Sequence, residues 1–332
     1  MIISWNSTNQ CNMYCDHCYR DSGAKATDEL NTEEARSLLD EIAKAGFKIM
    51  IFSGGEPLMR PDIVELISYA SSIGLRPVMG SNGTLLTSEL ATDLKNAGLM
   101  GIGISLDSMD SGRHDRLRQY DGAWNEAVRG MAICRDSGLA FQIHTTVMDW
   151  NTEELEQITD FAVSQGAVAH HFFFLVPTGR GANIENTSLR AAEYESVITR
   201  ILEKQKTVSI ELKPTCAPQF MRIASEMGMK MRYGRGCLAG TAYCIISPGG
   251  LVQPCAYMDM VVGDVRETPF SNIWADSPIL NQLRTLDYKG NCGHCAYKVS
   301  CGGCRARAAF YHDGDYMAEE PWCLHRGGGE DA

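Results

Sequence analysis

The stretch Ile2-Ile3-Ser4-Trp5-Asn6, followed at once by the loop that contains Cys11-Asn12-Met13-Tyr14-Cys15-Asp16-His17-Cys18, sets an apolar run before a C-x3-C-x2-C triplet. A short apolar run of this kind reads as a buried strand. Three thiolates cannot fill a four-iron cluster, so one iron stays open, much as a catalytic zinc keeps one position free. An open iron can bind a chelating substrate or cofactor. Two blander readings stand beside this one. The first is a zinc site that takes His17 or a remote residue as its fourth ligand, and the second is three unrelated buried cysteines.

Downstream of the triplet, glycine punctuates a repeating unit. Gly46, Gly74, Gly98, Gly138 and Gly166 each follow an amphipathic stretch and precede an apolar run, as helix C-caps that feed strands should. Ala35, Leu38, Leu39 and Ile42 share one helical face, and Ile63, Leu66, Ile67 and Ala70 share another. Asn31 with Glu34 and Asn151 with Glu154 have capping-box spacing, and Pro61 suits a first helical turn. The spacing predicts strands over Ile2–Asn6, Lys48–Phe52, Arg76–Met79, Gly101–Leu106, Phe141–Val147 and His170–Leu175. A helix over Ala191–Gln205 and a short strand over Val208–Leu212 follow. Alternating βα units with long crossovers imply an α/β fold with parallel strands. The expected architecture is a partial (β/α)6 TIM-like barrel, with an open doubly wound sheet as the alternative. In both, the active site lies at the C-terminal ends of the strands. The texture changes near residue 213, which divides the chain into a barrel at 1–212 and a small cysteine-rich domain at 213–332 that begins with a junction at 213–236. The Gly-Gly-Gly-Glu-Asp-Ala tail is expected to fray.

Composition narrows the function. The 332 residues carry a net charge of −11, which disfavours a partner whose phosphates must be neutralised, so no nucleic acid is expected. No stretch of about 18 apolar residues suggests a membrane span. The N-terminus lacks the pattern of a secretory signal, which points to the cytoplasm. Thirteen cysteines in a reducing compartment read as metal ligands before disulfides. Apart from the triplet they cluster as Cys237, Cys244, Cys255, Cys292, Cys295, Cys301, Cys304 and Cys323, with only Cys134 and Cys216 between. Eight thiols make two complete sets of four, for iron-sulfur clusters or for structural zinc.

The triplet, Gly54-Gly55-Glu56-Pro57 after the second strand, Ser81-Asn82-Gly83 after the third and Ser105-Leu106-Asp107 at the fourth resemble the radical S-adenosylmethionine superfamily. The resemblance covers roughly residues 1 to 210 and implies a partial (β/α)6 barrel. It implies that Cys11, Cys15 and Cys18 hold a 4Fe-4S cluster whose open iron chelates S-adenosyl-L-methionine, which is cleaved to a 5′-deoxyadenosyl radical. Gly54 and Gly55 would let backbone approach this cofactor, and Glu56 would accept from its ammonium group. Ser81 and Asn82 belong to the same expected binding set. Ser105 and Asp107 suit the ribose hydroxyls, and His17 and Tyr19 flank the adenine position. His17 departs from the family's usual aromatic. The later cysteines, with Gly263-Asp264-Val265-Arg266 to Trp274, resemble the SPASM extension. By that pattern Cys237, Cys244, Cys255 and Cys304 bind a nearer auxiliary cluster, and Cys292, Cys295, Cys301 and Cys323 a distal one, for three 4Fe-4S clusters in all.

The Thr178-Gly179-Arg180-Gly181 loop, Pro214-Thr215-Cys216-Ala217-Pro218-Gln219 and Cys301-Gly302-Gly303-Cys304-Arg305-Ala306-Arg307 resemble the tetrapyrrole branch of that family, the NirJ and AhbD proteins, and the NirJ type most. This resemblance implies an iron tetrapyrrole substrate of the didecarboxysiroheme or iron-coproporphyrin type. Its propionates would be lost or oxidatively decarboxylated in heme d1 or alternative heme biosynthesis, with ferredoxin or flavodoxin as electron donor. Arg180, Lys213 and Arg222 are candidate propionate partners. His144 and the His170-His171 pair are either satisfied core residues or contacts to substrate. Cys216 is either a small buried residue or a thiol that donates hydrogen or ligates iron, and it is the catalytic candidate together with His144. Cys134 reads as packing. The rival functions are a peptide maturase on the same fold and a zinc-binding scaffold.

Overall fold

A βα chain that adds each strand beside the last builds a sheet without a switch point, and the order of this sheet follows that rule. The computed structural model describes residues 1–326, and the tail expected to fray lies outside them. The strands are β1 (Ile2–Asn6), β2 (Ile49–Ser53), β3 (Arg76–Ser81), β4 (Ile102–Ser105), β5 (Phe141–Val147), β6 (Ala169–Phe174), β7 (Glu211–Thr215), β8 (Tyr243–Ile246), β9 (Leu251–Gln253) and β10 (Gly263–Asp264). Their spatial order is β10-β9-β8-β1-β2-β3-β4-β5-β6-β7. Strands β1 to β7 are parallel neighbours in chain order, which is the partial barrel and not the doubly wound alternative. The cysteine-rich region extends the same sheet, because β8 pairs parallel with β1 while β9 and β10 continue antiparallel. No described helix is long and apolar enough to cross a membrane.

The expected strands are found within one or two residues, except β7. It runs Glu211–Thr215 and not Val208–Leu212, so it spans the expected division at residue 213. Pro214 lies within this strand. At the edge of the sheet its missing N–H costs no ladder bond. The helix Thr32–Lys44 begins with the expected capping box of Asn31 and Glu34 and buries the expected face. Asn151 does something else: its buried side chain donates to the carbonyls of Asp107 and Thr146, and the next helix begins only at Leu155. Pro61 stands in a turn just ahead of the helix Ile63–Ser72.

Sheet parity separates two faces. On β1, Ile3 and Trp5 join the main apolar core with Phe52, Phe141 and Phe172, while Ile2 and Ser4 face the barrel interior. The turn after β2 fits against the stretch before the triplet. Gly55 N–H donates to the Thr8 carbonyl and Glu56 N–H to the Gln10 carbonyl, both at 2.8 Å. A Cβ on Gly54 would stand 2.4 Å from Thr8 O, and one on Gly55 2.2 Å from Gln10 O. The glycines therefore admit neighbouring protein backbone, a role the motif reading had given to cofactor approach. Behind them the Glu56 carboxylate is fully buried and accepts from Ser81 Oγ at 2.8 Å, Asn82 N at 2.8 Å and Leu58 N at 3.1 Å.

Gly55→Ala is expected to cost about 1–3 kcal/mol through overpacking against Gln10, read as a lower thermal midpoint. Burial pushes the Glu56 carboxyl up from 4.5 to about 7 against the hydrogen bonds that favour its ionised form. The folded protein then holds a proton that the unfolded chain releases, so this group lowers stability as pH rises from about 4.5 to about 7. Relative to Glu56→Gln, the wild-type protein is expected to lose up to about 3 kcal/mol across that window. A flat difference between the two thermal midpoints would contradict the assignment.

Candidate active site and cysteine centres

The C-terminal ends of the parallel strands open into a cavity of about 750 Å³, within the roughly 300–1,000 Å³ typical of small-molecule sites. Cys11, Cys15 and Cys18 stand on its wall together with Gly54, Gly55, Ser81, Asn82 and Ser105. His17 and Tyr19 also line it, and so do His144, His171 and Lys213 on the later strands. From the C-terminal region Cys216, Cys237, Cys255 and Cys304 reach the same wall.

The triplet loop is held by arginines. Arg180 donates to the Cys15 carbonyl at 2.9 Å, to Asp21 Oδ1 at 2.7 Å and to the Ser22 carbonyl at 2.7 Å, with its guanidinium 3.7 Å over the Tyr14 ring. It therefore braces the cysteine loop, and it also stands on the cavity wall where it was expected to meet substrate. Arg118, which sequence reasoning missed, lines the cavity with Nη1 4.0 Å from Cys15 Sγ and pairs with Asp107 at 2.7 Å. No periodicity marks it, since the helix Ser111–Arg118 is polar on most sides. Asp107 is not on the cavity wall. Its buried carboxylate is taken up by Arg118 and by Thr146 N. Burial raises its pKa, but Arg118 and two histidines outweigh this and hold it well below the usual range. Glu56 likewise lies behind the wall, so that Ser81 and Asn82, which it orients, are the groups presented to the cavity.

His17 is half-buried on the cavity wall, where desolvation lowers its pKa to about 4, and its Nδ1 has no partner among the described residues. Tyr19 donates to Asn6 Oδ1 at 2.9 Å, with its ring 5.4 Å from that of Tyr257. The three later histidines split by strand parity. His144 and His171 face the cavity with their rings stacked at 5.5 Å and 9°. His170 points the other way, where Thr145 and Thr159 take both ring nitrogens at 2.8 and 3.0 Å. Burial lowers His144 to about 4, so it is neutral at pH 7. Gln142 Nε2 lies 2.7 Å from its Nε2, and a Cβ on Gly103 would strike the ring. Arg222 is occupied by Glu195 and Glu226. Lys213 has no ion pair among the described residues, and its ammonium lies 4.4 Å from the Tyr233 ring centre. Cys134 is buried within the helix Ala123–Ser137.

The C-terminal thiols form two groups. Cys292, Cys295, Cys301 and Cys323 line one small cavity together. Backbone N–H groups of Glu320, Tyr297 and Gly303 point at the sulfurs of Cys292, Cys295 and Cys301 at 3.3, 3.4 and 3.5 Å, as they would toward thiolates. Cys237, Cys255 and Cys304 meet at the large cavity, but Cys244 does not join them. It lies inside β8, paired in register with Ile3 and fully buried in the main core. All thirteen cysteines are free thiols. Among the described residues no three His, Cys, Asp or Glu groups are close enough to hold a single metal ion. Thiols that converge on one cavity at wider spacing suit a multinuclear cluster better than tetrahedral zinc.

Comparison with known proteins agrees with this geometry. Residues 5–162 match the radical SAM superfamily model, and residues 237–304 match SPASM, described as an iron-sulfur cluster-binding domain. An AdoMet-dependent heme synthase of Nitratidesulfovibrio vulgaris is 44% identical over 98% of this chain and 92% of its own length. A pre-heme d1 synthase of Dinoroseobacter shibae is 28% identical over 97% of this chain and 85% of its own. The heme synthase is the nearer of these two, whereas the sequence motifs leaned toward the heme d1 type. The structure of Streptococcus suis SuiB bound to the precursor peptide SuiA superposes with a TM-score of 0.77 at 15% identity, over 97% of this chain and 75% of that one, and shares the fold. The chain belongs to the radical SAM superfamily, in the family that holds the AdoMet-dependent heme synthase, and it is an enzyme that uses S-adenosylmethionine and iron-sulfur clusters.

Proposed function

We propose that this enzyme converts propionate side chains of an iron tetrapyrrole of the iron-coproporphyrin type into vinyl groups. The observation that carries the reading is the single cavity. It gathers the three-cysteine loop, two neutral histidines, a lysine that forms no ion pair among the described residues and cysteines of the C-terminal region. The similarity to a heme synthase supports the choice of vinyl formation over side-chain removal from didecarboxysiroheme.

The fit to three 4Fe-4S clusters rests on the donor sets. These are the triplet, the thiols at the large cavity and the four thiols at the small one. Cys11, Cys15 and Cys18 would hold the cluster at which S-adenosylmethionine, given one electron, would supply a 5′-deoxyadenosyl radical. Ser81, Asn82 and Ser105 offer hydrogen-bonding groups to that cofactor, and His17 and Tyr19 flank it. Lys213 meets a propionate, and the cost of burying its ammonium, which lowers its pKa, is offset once a carboxylate arrives. His144 and His171 hold imidazole nitrogens toward the macrocycle. For each propionate the substrate yields one hydrogen atom to the radical, one electron to the auxiliary cluster on the cavity wall, and carbon dioxide. The charge balances, because the carboxylate's negative charge leaves with the electron. A ferredoxin or flavodoxin in the cytoplasm supplies the reducing electron to the triplet cluster.

Anaerobic protein given S-adenosylmethionine, dithionite and iron-coproporphyrin is expected to form 5′-deoxyadenosine together with a product that has lost carbon dioxide and hydrogen. Replacing Cys11, Cys15 and Cys18 by Ala should abolish both. Cofactor cleavage that survives this replacement would refute the cluster assignment, and turnover of didecarboxysiroheme alone would refute the substrate. Lys213→Met is expected to raise the tetrapyrrole KM roughly tenfold or more through loss of a charged contact, with substrate-free cofactor cleavage unchanged. An unaltered KM would remove Lys213 from the site.

A further inference from the structure

We propose that Cys216 is the fourth protein ligand of the auxiliary cluster on the cavity wall, completing the set of Cys237, Cys255 and Cys304, and that Cys244 lies outside it. The proposal rests on the presence of a cluster at that wall. Cys216, Cys237 and Cys255 all pack against one small apolar group that includes Cys304, Val176 and Met258. Cys216, Cys237, Cys255 and Cys304 line one cavity wall, which Cys244 does not reach.

Strand parity excludes Cys244. On β8, Tyr243 faces the cavity and its hydroxyl lies 3.1 Å from Ser4 Oγ. The next residue must point to the opposite side, into the core beside Ile3. Cys216 is free of that constraint because it follows β7, at φ +60°. A non-glycine residue in this left-handed region is strained and persists only where its surroundings over-determine it.

Here they do. The Cys216 carbonyl accepts from Tyr194 Oη at 2.9 Å and from Arg307 Nη2 at 3.1 Å. Arg307 forms a buried ion pair with Glu320 at 2.7 Å, and Glu320 accepts the Cys304 N–H, also at 2.7 Å. One ion pair thus fixes Cys216, at the end of the barrel, relative to Cys304 in the cysteine-rich region. Arg307 Nη1 is buried and has no acceptor among the described residues, and neither does Thr215 Oγ1 beside Cys216. Both are donors beside the four thiols, where a bound cluster would bring thiolates and sulfide. Four thiolates close the cluster, leaving it no iron for substrate and suiting it to take the electron.

The test uses the full chain, reconstituted anaerobically, with the triplet replaced by Ala so that only auxiliary clusters give an EPR signal. Cys216→Ala should lower the iron content by up to about four per chain, or change one reduced EPR signal and make it sensitive to added imidazole. Cys244→Val should leave iron and spectrum as in the parent. If Cys216→Ala does not fold, Cys216→Ser, which keeps an oxygen ligand, should shift that signal while Cys244→Val does not. Parent-like, imidazole-insensitive spectra for the Cys216 variants would overturn the proposal, as would an altered spectrum for Cys244→Val. A parent that holds one auxiliary cluster in place of two would instead overturn the cluster reading beneath it.

Discussion

A strand turns alternate side chains to opposite faces, and in a barrel one face is a lumen and the other a helix-packed core. The chemistry of this protein depends on that alternation. His144 and His171 enter the cavity, while His170 is turned outward and satisfied by two threonines. Tyr243 faces inward and Cys244 outward. A slip of one residue in any of these strands would exchange reactive groups for core groups. The apolar residues Ile3, Trp5, Phe52 and Phe141 make such a slip costly, so the register that stabilises the fold also selects the lining of the site.

Two buried ion pairs stand beside two of the thiol groups. Arg118–Asp107 stands beside the triplet and Arg307–Glu320 beside the C-terminal thiols. A buried pair brings little net stability, but loss of one partner strands a charge at a cost of about 3–5 kcal/mol. Its value here is positional. Arg118 reaches toward Cys15, and Arg307 holds the backbone at Cys216, so each places a guanidinium near sulfur that would become anionic on binding iron. The cationic partner offsets that charge where water is absent.

The fold was legible because its signals are local. Apolar runs, glycine stops and an N-terminal cap at Asn31 each depend on a few neighbouring residues, and the strands follow them closely. The C-x3-C-x2-C loop was legible because its spacing has few uses. The meaning of single polar residues was not. Gly54 and Gly55 make room for Thr8 and Gln10, a contact across more than forty residues that no motif encodes. Asp107 and Arg180 resemble ligand contacts in sequence, yet their charges are spent on holding other residues in place. Arg118 had no pattern to reveal it, because a lone buried cation is defined by its partner and not by its neighbours.

The cysteines show how far spacing alone can carry an assignment. Cys237 and Cys244 lie near each other in sequence and invite pairing as ligands, whereas Cys216 lies further upstream and resembles a stray. Chain separation says nothing about distance once β7 and β8 run to the same end of one sheet. With Cys216 in the set, the two thiols outside every set are Cys134 and Cys244, and both are fully buried among apolar side chains. That is where a protein that handles radicals and iron can keep unligated sulfur. Burial pushes both thiols up from their usual range, so both stay protonated and poor nucleophiles. For Cys244 the difference between ligand and packing cysteine is a difference between lumen and core, made by the same alternation that formed the barrel.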